Sequence, residues 1–145
     1  KLIREKLELL LDAKTNDNFN LLKDTALNGE KTKTNYLLSE TLIENDKNIY
    51  YLNVINQRLN KIYELKLLDK KNDPETAINL IKPQIFWKDK SVFISQAKKW
   101  DKNKISKVLN ETYDLEIKMK SNTTVSKNIL IKKLIIDICN MANSS

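Results

Sequence analysis

Apolar residues recur at three- and four-residue intervals over most of the chain and almost nowhere alternate. That is the pattern of amphipathic helices rather than of strands. The spacing predicts a short first helix over Leu2 to Leu11, with Leu2, Ile3, Leu7, Leu10 and Leu11 near one face. Ala13 to Asn18 is polar and rich in Asn, Asp and Thr, and reads as a linker or turn. Asp17 is then placed to cap a second helix carrying Phe19, Leu22, Ala26 and Leu27. Gly29 is the only glycine in the chain and stands where a left-handed C-cap is expected. A third helix follows from about Lys31, with Tyr36, Leu37, Leu38, Thr41, Leu42 and Ile43 as its apolar side. Asp46 is placed to cap a fourth, in which Ile49, Leu52, Ile55, Leu59 and Ile62 recur up to about Leu68.

Pro74 suits the first turn of a short fifth helix, Glu75 to Ile81, behind Asp73 as its cap. Pro83 has no backbone N–H and biases Lys82 towards an extended conformation, so that helix cannot run through it. Ile85, Phe86 and Trp87 form an apolar knot expected to plug the gap between its flanking helices. A sixth helix carries Val92, Phe93, Gln96, Ala97 and Trp100. Asp101 caps a long seventh with Ile105, Val108, Leu109, Thr112, Leu115 and Met119 inward. Ser126 caps the last, Lys127 to Ala142, which is apolar except for a narrow stripe at Lys133, Asp137 and Asn140. A helix of that kind is usually central in its bundle. The fold class is therefore all-α, an antiparallel bundle of about seven to eight helices.

Composition narrows the chemistry. Histidine is absent, and Cys139 is the only cysteine. Ser-His-Asp and Cys-His arrangements, an intrachain disulfide and a Cys/His zinc site are all ruled out. One glycine cannot build GxxxxGK[ST] or GxGxxG. The sequence is expected to be non-catalytic and to use no cofactor. A reducing, cytoplasmic setting fits the lone thiol, and no apolar run approaches the ~20 residues of a membrane span. The chain begins with Lys1 rather than methionine, which suggests a piece of a longer protein.

The net charge of +7 is unevenly placed: residues 1–81 are neutral, and residues 82–145 hold 13 lysines against 6 acidic residues. Only Arg4 and Arg58 are arginines, so bidentate recognition of phosphate or guanine is poorly provided for. Lys82, Trp87, Lys88, Lys98, Lys99 and Lys102 are the candidate partner or nucleic-acid surface, beside a plainer reading as a solvated face. Phe93 and Trp100 read as core, and Trp87 stays open because its neighbours are lysines.

The block Ile81-Lys82-Pro83-Gln84-Ile85-Phe86-Trp87-Lys88 resembles one in the C-terminal domain of the delta subunit of the bacterial DNA polymerase III clamp loader. So do Phe93 and Gln96 before Trp100, the stretch Ile105 to Lys120, and Asn18-Phe19 through Thr25-Ala26-Leu27-Asn28-Gly29. The similarity spans most of Asp17 to Asn140, with lysine, asparagine and isoleucine where many relatives use arginine, alanine and leucine. The resemblance implies an AAA+-related subunit acting in DNA replication, with residues 1–16 the last helix and hinge of a preceding lid-like domain and residues 17–145 the C-terminal helical collar domain. It implies docking against delta-prime and tau/gamma collar domains through surplus apolar faces on the third, fourth and last helices. The sliding clamp would be contacted by upstream domains, DNA in the assembled complex, and no membrane. The alternative is a stand-alone basic helical nucleic-acid-binding protein using the lysine-rich half.

Overall fold

The computed structural model describes residues 2–68, 74–82, 85, 87–121 and 125–144. The side chains of Pro74 and Trp87 lie outside what is described. Among the described residues there are seven α-helices, two short 3-10 turns and no strand. The helices are α1 (Leu2–Leu27), α2 (Lys31–Glu40), α3 (Asn48–Leu68), α4 (Pro74–Ile78), α5 (Lys90–Lys99), α6 (Lys102–Lys120) and α7 (Lys127–Asn143). The 3-10 turns are Asn45–Lys47 and Trp87–Asp89. The all-α bundle read from the periodicity is the fold observed.

The first two helices anticipated from the sequence are one. Residues 13–18 continue α1 without interruption, and Asp17 sits in mid-helix rather than at a cap. The polar run contains neither Gly nor Pro, and Asn and Asp cost only a few tenths of a kcal/mol each inside a helix. The Thr15 hydroxyl donates to Leu11 O at 2.9 Å, along the helix rather than away from it. The end of α1 is as the lone glycine foretold. Gly29 has φ +71°. Its N–H donates to Ala26 O at 2.9 Å and that of Glu30 to Thr25 O at 3.3 Å. This is the pair of bonds by which a left-handed residue closes a helix.

Other boundaries shift inward. α2 ends at Glu40, and Thr41 to Glu44 run extended, with Thr41 and Ile43 buried and Leu42 exposed. Asp46 lies within a 3-10 turn, and α3 begins at Asn48. Asp101 caps α6 as expected, accepting from Lys104 N at 2.8 Å. Ser126 precedes α7 without capping it; its hydroxyl donates instead to Asn128 Oδ1 at 2.6 Å. The α4 helix ends at Ile78, and the expected helix to Ile81 finishes as a turn. Of the apolar knot, Ile85 is half-buried, while Phe86 and the Trp87 side chain lie outside the described residues.

One core joins α1, α3, α5, α6 and α7, built from Phe19, Leu22, Tyr51, Ile55, Leu59, Phe93, Ile105, Leu134 and Ile138 among others. Phe19 stacks on Tyr51 at a centroid distance of 4.2 Å. The Tyr51 hydroxyl accepts from Glu44 N at 3.0 Å, so the buried ring keeps a polar partner. Trp100 is buried and donates Nε1–H to Leu27 O at 2.9 Å, tying the end of α5 to the end of α1. α7 touches α1, α2, α3 and α6, the central position its near-continuous apolar surface requires. Its C-terminus is held at the α1–α2 turn, where Asn143 Nδ2 donates to Gly29 O at 2.7 Å and to Cys139 O at 3.0 Å. Its N-terminus is held near the start of α3 by Asn128 N donating to Asn45 Oδ1 at 3.1 Å.

Candidate docking surface

Every residue from 2 to 14 is exposed, and the first buried side chain of α1 is Phe19. α1 is covered by α2 and α7, whose lengths of 10 and 17 residues reach back from the Gly29 turn only part of the way along it. At 1.5 Å per residue, the first dozen residues project about 18 Å beyond the bundle as a helical arm. Its base is steadied by Lys47, whose Nζ meets Asp12 Oδ1 at 3.4 Å and Glu44 Oε2 at 2.9 Å.

The arm is apolar where an exposed helix should be polar. Leu2, Ile3, Leu7, Leu9, Leu10 and Leu11 are 54–77 % exposed. At 100° per residue they cover an arc of roughly 200°, interrupted by Lys6. Glu5, Glu8 and Asp12 form the opposite stripe, with Arg4 at its edge. Of the six buried residues of the C-terminal half, Phe19, Leu22, Lys23 and Ala26 fall on the same side of α1 as that acidic stripe, with Thr25 and Leu27 at the two edges of the buried arc. The apolar face therefore turns through roughly 180° between the two halves of one continuous helix. The arm presents its leucines away from its own core, where no element of the bundle can cover them.

Of the lysine-rich set, Lys98 and Lys99 are exposed in the last turn of α5, and Lys102 is half-buried in the first turn of α6. The α5–α6 corner brings these three together. Lys82 and Lys88 are exposed on the segments before α5, and Trp87 contributes only its backbone, in the 3-10 turn. Part of this charge is engaged in holding helix ends. Lys98 and Lys99 complement the C-terminal dipole of α5. Lys104 Nζ donates to Lys99 O at 3.2 Å and also to Ser144 O.

Two charged sites escaped the sequence pattern because each joins helices distant in the chain. At the α1–α3–α5 junction, Asp24 Oδ1 lies 3.5 Å from both Lys23 Nζ and Arg58 Nη2 and accepts from Gln96 Nε2 at 3.0 Å. Arg58 also lies over the Phe93 ring at 5.3 Å. Burial pulls the Lys23 amine below its ordinary pKa, with Asp24 opposing the shift. Between α6 and α7, Glu111 hydrogen-bonds Asp137, and burial together with that contact pushes Glu111 up to about 7. Beside the pair is an open cleft of about 180 Å³ lined by Glu111, Asp114, Leu115, Lys118, Leu130, Lys133 and Leu134. Among the described residues no group of three metal-ligating side chains converges, and no helix is long and apolar enough to cross a membrane.

No family model, no curated protein and no solved structure matches this chain. The clamp-loader vocabulary attached by the resemblance (DNA replication, DNA polymerase III, delta subunit, AAA+) is therefore withdrawn as a description of it. The motifs behind it are short words that a generic helical bundle also satisfies. The Phe19-to-Gly29 word is the end of any helix closed by a left-handed glycine, and Pro83, Gln84 and Phe86 lie outside the described residues. Nor is the surplus apolar surface confined to the third, fourth and last anticipated helices. Tyr36, Tyr50, Ile129 and Ile136 are exposed there, but the longest run is the arm.

Proposed function

We propose that this chain is a non-catalytic helical docking module, in which the bundle is a rigid platform and the α1 arm is its binding element. The arm's occupant is an aliphatic face of another protein helix. The reading is carried by one observation, the reversal of the apolar face along α1, which leaves six large aliphatic side chains exposed and turned away from the core. Six such side chains amount to about 600 Å² of apolar surface, the upper end of what a typical monomer exposes in one patch.

The chemistry of the arm selects among occupants. In-plane membrane helices carry Lys and Arg along the polar face; the polar stripe here is Glu5, Glu8 and Asp12. A nucleic-acid element would be basic, whereas residues 2–14 carry three basic and three acidic side chains. An aliphatic helix with a mixed-charge rim suits both properties. The lone buried thiol of Cys139 is compatible with work in the cytoplasm.

The test is the native size of the full protein in extracts of the cells that make it. Wild type is expected in an assembly larger than its own mass. Leu7→Glu with Leu10→Glu should release it, while Lys98→Gln with Lys99→Gln at the α5–α6 corner should not. Wild type that elutes alone, or release by both variants alike, would sink the docking reading.

A further inference from the structure

We infer that the helix seated on the arm is the arm of a second copy of this chain, the two arms running antiparallel. The inference rests on the docking reading above and supplies its partner. Area is the first support. Facing arms present about 1,200 Å² of apolar surface between them, and the part that a two-helix seam covers is at the low end of specific interfaces, the range of a weak, reversible dimer. Elsewhere among the described residues the large exposed apolar side chains are spread over the other elements, as with Tyr36 on α2, Leu67 on α3 and Tyr113 and Ile117 on α6. Among the described residues the arm is the one surface with the length and aliphatic character to match an arm.

Charge supplies the second support and the direction. In an antiparallel pair each rim meets the same rim of its partner. On the rim beyond Leu11, Arg4 of one arm then meets Glu8 of the other, twice over by symmetry. On the other rim Glu5 meets Glu5 of the partner arm, a repulsion that offsets part of the Arg4–Glu8 gain, while Asp12 is neutralised by Lys47 of its own bundle. Lys6, inside the apolar arc, has the stem length to reach solvent over its leucine neighbours. Parallel arms would bring two bundles side by side, each within a chain of net charge +7. Antiparallel arms set them at opposite ends, about 18 Å apart, beyond the ~8 Å over which physiological salt screens charge.

Sedimentation equilibrium of the purified chain from about 1 to about 200 μM decides the matter. The expected result is a reversible dimer of twice the 16.9 kDa chain mass. Leu7→Glu with Leu10→Glu should weaken the dimer by at least a hundredfold without changing the cooperative melt of the bundle. Arg4→Glu and Glu8→Arg should each weaken it several-fold, and the double swap should restore it. A dimer that survives the leucine substitutions would place the contact elsewhere and overturn the inference. A purified chain that stays monomeric while the cell-extract assembly persists would overturn the second copy and leave docking standing; a monomer in both would remove both.

Discussion

Gly29 is the residue on which the C-terminal half of the fold turns. Its φ of +71° is strained for any side chain, and a Cβ placed there meets Asn143 Oδ1 at 2.8 Å. Gly29→Ala therefore both strains the turn and displaces the Asn143 amide that fastens α7. An urea melt is expected to show a loss of about 2–3 kcal/mol, more than the ~1 kcal/mol of a strained turn alone. Trp100→Phe keeps most of the buried ring but leaves Leu27 O without its donor, and should cost about 1–3 kcal/mol in the same assay. The Glu111–Asp137 pair has a definite sign. Glu111 titrates at about 7 in the fold against 4.5 in the free side chain, so the folded state holds a proton that the unfolded state gives up. Its contribution is complete below about 4.5 and is lost as the pH rises through about 7. Asp114 and Lys118 on α6 and Lys133 on α7 line the same cleft, and Lys133 opposes the shift. With solvent screening at this half-open site the loss is about 1–2 kcal/mol. Stability measured from pH 4.5 to 8 should fall by that amount in the wild type and stay flat for Glu111→Gln. A wild-type profile as flat as the variant's would show that the two carboxyls do not share a proton in solution.

At the scale of elements, α1 decides how the chain divides. Leu2 to Leu11 and Phe19 to Leu27 are each periodic, but their apolar faces lie on opposite sides of the same axis. A reader who follows the stripe sees it vanish at Ala13 to Asn18 and infers a hinge. What ends there is the burial and not the helix, since nothing in that run interrupts the backbone ladder. Lys14→Pro separates the two possibilities. In a continuous helix it removes the bond to Leu10 O and clashes with that carbonyl, so about a dozen residues of helical ellipticity should be lost. The bundle should melt within about 1 kcal/mol of the wild type, because residues 2–14 bury nothing in the core. Unchanged ellipticity would mean that a hinge is already present. The other elements were legible to the degree that their stops are chemical. Gly29 and Asp101 marked real ends because φ > 0 and a free N–H have specific solutions. Glu40 and Asn48 were misplaced because Thr41 to Glu44 buries Thr41 and Ile43 from an extended backbone, and alternate burial over so short a stretch imitates a helical stripe.

For the whole molecule, the same uneven charge that drew attention to the lysines also separates the two kinds of partner. The candidate set Lys82, Trp87, Lys88, Lys98, Lys99 and Lys102 came from counting cations. In the fold Lys98 and Lys99 sit at the end of α5, and their neighbour Lys104 bonds to the backbone at the ends of α5 and α7. The arm could not be singled out from sequence, because exposed and buried leucines carry the same letters and only packing tells them apart. Only the core shows that Leu7 and Leu10 have nothing to lie against. The two surfaces differ in their response to salt. Binding that releases counterions from a polyanion weakens steeply between 50 and 500 mM salt, with a slope near the number of phosphates contacted. Pairing of aliphatic arms has two Arg4–Glu8 contacts to lose at the rim, each worth about 0.2–1 kcal/mol, and an apolar contact that salt does not weaken. Raising NaCl from about 50 to about 500 mM should therefore change the association constant by less than about tenfold. A loss of several orders of magnitude over that range would move the working surface from the arm to the lysines of the α5–α6 corner.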